Sequence, residues 1–309
     1  MLPLLGVACA SDLLPGELVV PGELAAVSFR GADGAALGAS VALDDGALLA
    51  GAPGLGQAWQ LGPSSVSQGW GDLGRWVWWT AGEPFAAQAS VGVFAVGGLA
   101  AEQRWETPGA VVFAAGEMAD GPRVAAATNS AVQLWDSHGA LQARLQLPGV
   151  QQLAVGFERL LLLACDGELC EVSAWDPGDG RVEYLAQAGP GGALVEVDGV
   201  AWWGDPQLDQ PTATGVVCSE EGRCIEGLEG DHLGRRLCAT HAAGVYNTWL
   251  TPARLRLVPL EEGTVLAIDR AAPSRPPALH SHGGQLAVGL PSDGLNSWGD
   301  GRVLLVELD

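Results

Sequence analysis

The chain has 309 residues and a formal net charge of −21, set by 15 basic residues, all of them arginine, against 36 acidic ones. That balance repels phosphate backbones and anionic membrane surfaces, which argues against nucleic acid as a partner. A 48% apolar share with 45 glycines and 19 prolines describes a folded chain of many short elements and many reversals, and this favours an all-β fold.

The first twelve residues, MLPLLGVACASD, form a short apolar run that ends in small residues and Cys9. This is similar to the tail of a bacterial lipoprotein signal, which implies acylation at Cys9 and an exported protein of the periplasm, outer membrane or cell surface. Residues 1–22 are therefore expected to be a signal-like segment and linker, and 23–309 one domain. No later run reaches the roughly 18 apolar residues of a spanning helix. The only membrane contact expected is the lipid anchor.

Downstream, a unit of roughly forty residues recurs seven times. Its marker is an apolar strand ending in a small or turn-forming tripeptide: ALLAGAP to Pro53, GVFAVGG to Gly98, RVAAATN to Asn129, LLLLACD to Asp166, GVAWWGD to Asp205, AAGVYNTW around Asn247 and QLAVGLP to Pro291. Gly51 and Gly289 are expected to sit where the backbone turns sharply, and Pro53 and Pro291 where the strand stops. Leu-Gly pairs stand upstream at Leu37, Leu73 and Leu233, and a further strand follows most tripeptides, the last being GRVLLVEL from Gly301. Three or four short strands per unit, with turn signals between them, predict the blades of a seven-bladed β-propeller.

Between these markers lie the residues that could carry chemistry. LAAEQRWETP holds Arg104, Trp105 and Glu106, DPQLDQPTAT holds Asp205 and Asp209, the sixth unit adds Trp249, and SDGLNSWGD holds Asp293, Asn296, Trp298 and Asp300. These segments read as long loops, where binding is usually built, and tryptophan beside carboxylates and amides suits a sugar ring or a protein hot spot. Trp76, Trp78, Trp202 and Trp203 fall on strands and are assigned to blade packing. Cys165 and Cys170 bracket DGEL, and Cys218 and Cys224 bracket SEEGR. Each pair spans a tight hairpin and predicts a disulfide of an oxidising compartment, with Cys238 left as a buried thiol. His280 and His282 would share a strand face, with no third metal ligand nearby in sequence.

The order Leu-Gly, apolar strand, Gly-Ala-Pro or Gly-Leu-Pro, loop and GRVLLVEL resembles the FG-GAP repeat of integrin alpha-chain head domains and bacterial surface proteins. The third unit, SAVQLWDSHGALQARL, is more similar to WD-type or quinoprotein blades. The FG-GAP resemblance implies that an N-terminal strand, here within Glu23–Gly31, completes the last blade. It also implies that loops after the tripeptide open on the ligand-facing side. Its calcium loop is shortened here to LDDGALL at Asp44 and Asp45, and Asp176, Asp179 and Asp300 lack the spacing, so calcium is a minor expectation beside turn-forming Asp-Gly.

No Gly-x-Ser-x-Gly, His-Glu-x-x-His, phosphate-loop or dinucleotide pattern occurs. The sequence thus predicts a non-catalytic envelope module that binds a protein or glycan through loops on one propeller face. The alternatives are a polysaccharide hydrolase or lyase with carboxylates in the central funnel, and a scaffold subunit of an envelope complex.

Overall fold

The structure, a computed structural model, describes residues 18–20, 27–32, 34–45, 47–61, 65–69, 71–96, 100–208, 214–246, 254–263, 265–269, 277–291 and 301–308. Cys9, Asp209, Trp249, Asp293, Asn296, Trp298 and Asp300 lie outside the described residues.

The described strands make seven separate sheets, each built on an antiparallel meander of consecutive strands, with an added N-terminal strand in two of them. Blade 1 runs Val41–Asp44, Ala47–Ala52, Gln57–Leu61 and Ser65–Gln68; blade 2 Trp76–Thr80, Glu83–Gln88, Gly92–Ala95 and Glu102–Glu106; blade 3 Val112–Met118, Gly121–Ala127, Ala131–Asp136 and Leu141–Gln146. Blade 4 runs Val150–Val155, Leu160–Asp166, Leu169–Trp175 and Val182–Ala188; blade 5 Leu194–Val197, Val200–Asp205, Val216–Ser219 and Cys224–Glu226. Blade 6 uses Arg236–Leu237, His241–Tyr246, Arg254–Pro259 and Leu266–Asp269, and blade 7 Ala278–His282, Gln285–Leu290 and Arg302–Glu307. The first strands of all seven line one central cavity. The fold is a seven-bladed β-propeller.

Val27–Arg30 pairs antiparallel with Arg302–Leu305 as the rim strand of blade 7. Leu18–Val20, inside the stretch assigned to signal and linker, runs parallel to Leu266–Ile268 as a fifth strand of blade 6. Among the described residues no helix is long and apolar enough to cross a membrane.

The core consists of seven layers, one between each pair of neighbouring blades. Blade 4 shows how the sequence dictates this. Leu160 and Leu162 pack toward blade 3, while Leu161 and Leu163 pack toward blade 5. A strand buried on both faces reads as a continuous apolar run rather than an alternation. The same geometry puts Cys165 opposite Cys170 and Cys218 opposite Cys224, so each pair closes a disulfide across its hairpin. Cys238 is buried and free.

Two sequence readings are corrected. The second unit's marker, GVFAVGG, is the third strand of blade 2, and the strand equivalent to Ala47–Ala52 is Glu83–Gln88. EPFAAQ carries no glycine corner, and its neighbour GVFAVGG is the one with the marker pattern. The motif glycines also serve a different end from a turn. A Cβ on Gly51 would overlap the Gly74 carbonyl, one on Gly204 the Gly234 carbonyl, and one on Gly289 the Gly38 carbonyl. The glycine in a blade's second strand is where the Leu-Gly corner of the next blade comes to backbone contact, at the 1–2, 5–6 and 7–1 seams. Gly38, Gly74 and Gly234 have φ of 85°, 87° and 96°, so each corner needs glycine on both sides.

His241 opens the second strand of blade 6 and is buried, with Nδ1 2.9 Å from the Thr240 hydroxyl. Desolvation depresses its pKa from 6.5 to about 4. Above pH 6.5 the ring is neutral in both folded and unfolded chains. As pH falls toward 4 the unfolded chain takes up a proton that the folded one refuses, so stability drops across that window. We expect a loss on the order of 2–3 kcal/mol from this group. Urea unfolding at pH 7.5 and 4.5 should show a smaller difference in His241→Gln than in the parent.

Candidate functional site

Seven innermost strands cannot meet on the axis, and they leave a channel of about 730 Å³, within the range typical of ligand pockets. Its mouth is edged by Pro53, Gly54 and Pro291, so the turns after the first and last motif strands open there. The blade-to-blade connection carrying Asp72 and Arg75 opens at the same end.

On the blade 2 side the Arg75 guanidinium lies 4.8 Å from the centre of the Trp76 ring and 3.8 Å from an Asp72 carboxylate oxygen. Trp76 meets Phe113 of blade 3 with ring centres 5.1 Å apart and planes tilted by 55°. These three side chains form a rigid cationic and aromatic step on the channel wall. Gln151 and Gln152 of blade 4 add amide donors and acceptors to the lining.

Across the axis stands Arg236 of blade 6. Its Nη1 donates to the Arg235 carbonyl at 2.9 Å, and no carboxylate among the described residues pairs with it. Desolvation, then the neighbouring Arg235 charge, lowers its pKa, although a guanidinium stays protonated at neutral pH. A cation that faces a partly dehydrated channel with no carboxylate partner among the described residues is suited to accept an anion.

Sequence reasoning singled out none of these as facing a ligand and assigned Trp76 to blade packing, and Trp76 does pack partly buried between blades 2 and 3. Arg75 and Trp76 follow Leu73-Gly74, and Arg235 and Arg236 follow Leu233-Gly234. The Leu-Gly marker was the available signal, since residues just after each corner reach the channel: Ala39 and Ser40, Arg75 and Trp76, and Arg236.

Of the residues that the sequence singles out for binding, the described ones lie away from this lining. Glu102–Glu106 is the rim strand of blade 2 and not a loop. Within it Arg104 and Glu106 are exposed, and Arg104 lies 4.0 Å from Glu102. Trp105 packs inward on Phe85, 6.2 Å between ring centres, and against the Gly139 backbone. A register shift between Gln103 and Trp105 turns the indole into the layer between blades 2 and 3. Asp205 ends the second strand of blade 5 and accepts the Gln207 N–H at 3.1 Å, which caps a turn. Asp176 and Asp179 do the same, accepting from Gly178 and Arg181 at 2.7 Å each.

The opposite face, formed by the first-to-second and third-to-fourth strand turns, carries a second cavity of about 460 Å³ between blades 4 and 5. Arg159 fills its wall. Nε donates to Glu196 at 3.0 Å, Nη1 and Nη2 to Glu220, and Nη2 also to the Gly199 carbonyl at 3.1 Å. The hydrogen bond from Arg159 holds Glu220 below the usual carboxylate pKa. With its donors committed, this cluster clasps two blades.

No known protein family matches the sequence, and no curated protein is similar to it. Solved structures are similar in fold. BamB from Moraxella catarrhalis shares 12% identity with a TM-score of 0.52, over 87% of this chain and 83% of that one. The WD40 domain of Pan2 from Neurospora crassa shares 12% with a TM-score of 0.54, over 90% of each chain. BBS1N, solved in complex with ARL6DN, shares 12% with a TM-score of 0.58, over 93% and 96%. At that identity the likeness establishes the propeller and nothing finer, so the chemistry of the channel mouth has to carry any reading of function.

Proposed function

We propose that this chain is a non-catalytic interaction module of the bacterial cell envelope, which holds a protein partner at the channel mouth by seating one partner carboxylate on Arg236. The single observation behind this is the Arg236 guanidinium, which lines a channel of ligand size with no acidic side chain of the described residues on it. The net charge of −21 steers basic proteins toward the surface, and Arg236 then selects a carboxylate within them. Trp76 and Phe113 supply the flat apolar wall that such a contact needs to exclude water.

Two hairpin disulfides suit an oxidising compartment, and the signal-like run ending at Cys9 suits lipid anchoring. The Leu-Gly corners docked on motif glycines at three seams are what an FG-GAP-type propeller would need. One structure similar in fold is itself of a complex with a second protein. The polysaccharide hydrolase alternative asks for two carboxylates facing the substrate. The described lining of the channel holds one, Asp72, beside Arg75.

The test is a thermodynamic cycle with a peptide library rich in lysine and arginine, each member carrying one central aspartate or its asparagine twin. Aspartate peptides should bind by calorimetry, and Arg236→Gln or Asp→Asn should each weaken binding by about tenfold or more, with the double change no worse than either alone. Equal binding of both twins, or an Arg236→Gln chain that binds like the parent, would sink the proposal.

A further inference from the structure

The two motifs that sequence spacing kept apart, Asp44-Asp45 and the His280/His282 pair, are neighbours in the fold. Asp44 ends the first strand of blade 1, with Asp45 in the turn after it, and His282 ends the first strand of blade 7. Both turns open on the face opposite the channel mouth, at the 7–1 seam where the chain's first and last blades meet. His282 Nε2 lies 3.3 Å from Asp45 Oδ1, and one ligand atom from each of Asp44, Asp45 and His282 lies within 4.8 Å of the others.

We propose that these three side chains form a divalent transition-metal site, of the Zn²⁺ class, that clips blade 7 to blade 1. A tetrahedral zinc with nitrogen and oxygen ligands at about 2.0–2.2 Å has ligand–ligand edges of about 3.4 Å. The His282–Asp45 separation already matches such an edge, and the Asp44 ligand atom lies within 4.8 Å of both. Two carboxylates and a neutral imidazole carry a charge of about −2, which one divalent ion cancels. The imidazole selects zinc, copper or nickel over calcium, which takes six to eight oxygens.

His280 is the positioning residue. It is two residues before His282 on the same strand, and its Nδ1 accepts the Leu43 N–H at 3.1 Å. That bond uses the lone pair a metal would need, so His280 stays out of the ligand set. It ties the blade 7 strand to the residue just before Asp44, which fixes the two turns against each other.

The experiment is Zn²⁺ titration of the metal-stripped full chain by calorimetry at pH 7.5, with the melting midpoint followed in parallel. The parent should take up one ion, and its midpoint should rise by several degrees. His282→Gln and Asp45→Asn sit on exposed side chains that the fold does not need, so both should fold normally, bind at least about tenfold more weakly and lose the thermal shift. Absence of uptake by the parent would overturn the site. So would uptake that His282→Gln leaves unchanged, or Ca²⁺ competing as well as Zn²⁺ at equal concentration.

Discussion

Asp231→Ala should lower the free energy of unfolding by about 3–5 kcal/mol, the cost of stranding a buried charge. Asp231 lies in the connection from blade 5 to blade 6 with its side chain fully buried. Its Oδ2 is 2.5 Å from Nη1 of Arg256, whose side chain is 5% exposed. The Leu228 N–H donates to the same oxygen at 3.3 Å, and Gly244 makes room for the carboxylate, because a Cβ there would overlap Asp231 Oδ1. Removing the carboxylate takes away the charge that lies 2.5 Å from Nη1 of the buried Arg256 guanidinium. The double variant Asp231→Leu with Arg256→Met removes both charges and should recover most of the loss, because a well-packed apolar pair often matches a buried ion pair. Chemical denaturation of the three variants checks this. A single variant that unfolds like the parent would mean that water reaches the pair.

Gly289→Val should be about as damaging, at roughly 3 kcal/mol or more, with a fall in melting midpoint of about 5–10 °C. Gly289 sits in the second strand of blade 7, and a Cβ there would overlap the Gly38 carbonyl of blade 1. The obstacle is backbone on both sides, so no side chain can swing aside, and the seam between the first and last blades must open. Gly283, at a turn of the same blade, is the control. A Cβ there meets nothing within 4 Å, so Gly283→Ala should cost only the strain of its φ of 57°. If Gly289→Val and Gly283→Ala melt alike, the seam is more compliant than its close approach implies.

Much of this architecture was legible in the linear chain. Apolar runs such as LLLLACD and QLAVGLP, each buried on both faces, could only be middle strands of stacked sheets, and their spacing counted the blades. The cysteine pairs were legible for a related reason, since a hairpin brings its two arms into register whatever surrounds it. Blade 2 failed where its middle strand lacked the marker. EPFAAQ carries the same structural burden as ALLAGA, yet it reads as an ordinary segment because its contacts, and not its residue types, place it there.

The candidate site was much less legible, for a geometric reason. A propeller draws its axis and its seams from residues far apart in the chain. Arg75, Trp76, Phe113 and Arg236 share one channel, and Asp45 meets His282 across 237 positions of sequence. Local pattern could propose Trp105 as a ligand contact, but a register shift in its strand turned the ring into the core. The sequence by itself determined the all-β class, the sevenfold period, the hairpin disulfides and the acidic surface, all of which follow from neighbours along the chain or from composition. Only the tertiary structure decided which side chains line the channel, which glycines touch across seams and which carboxylates find a histidine, because those depend on how each sheet is rotated against the next.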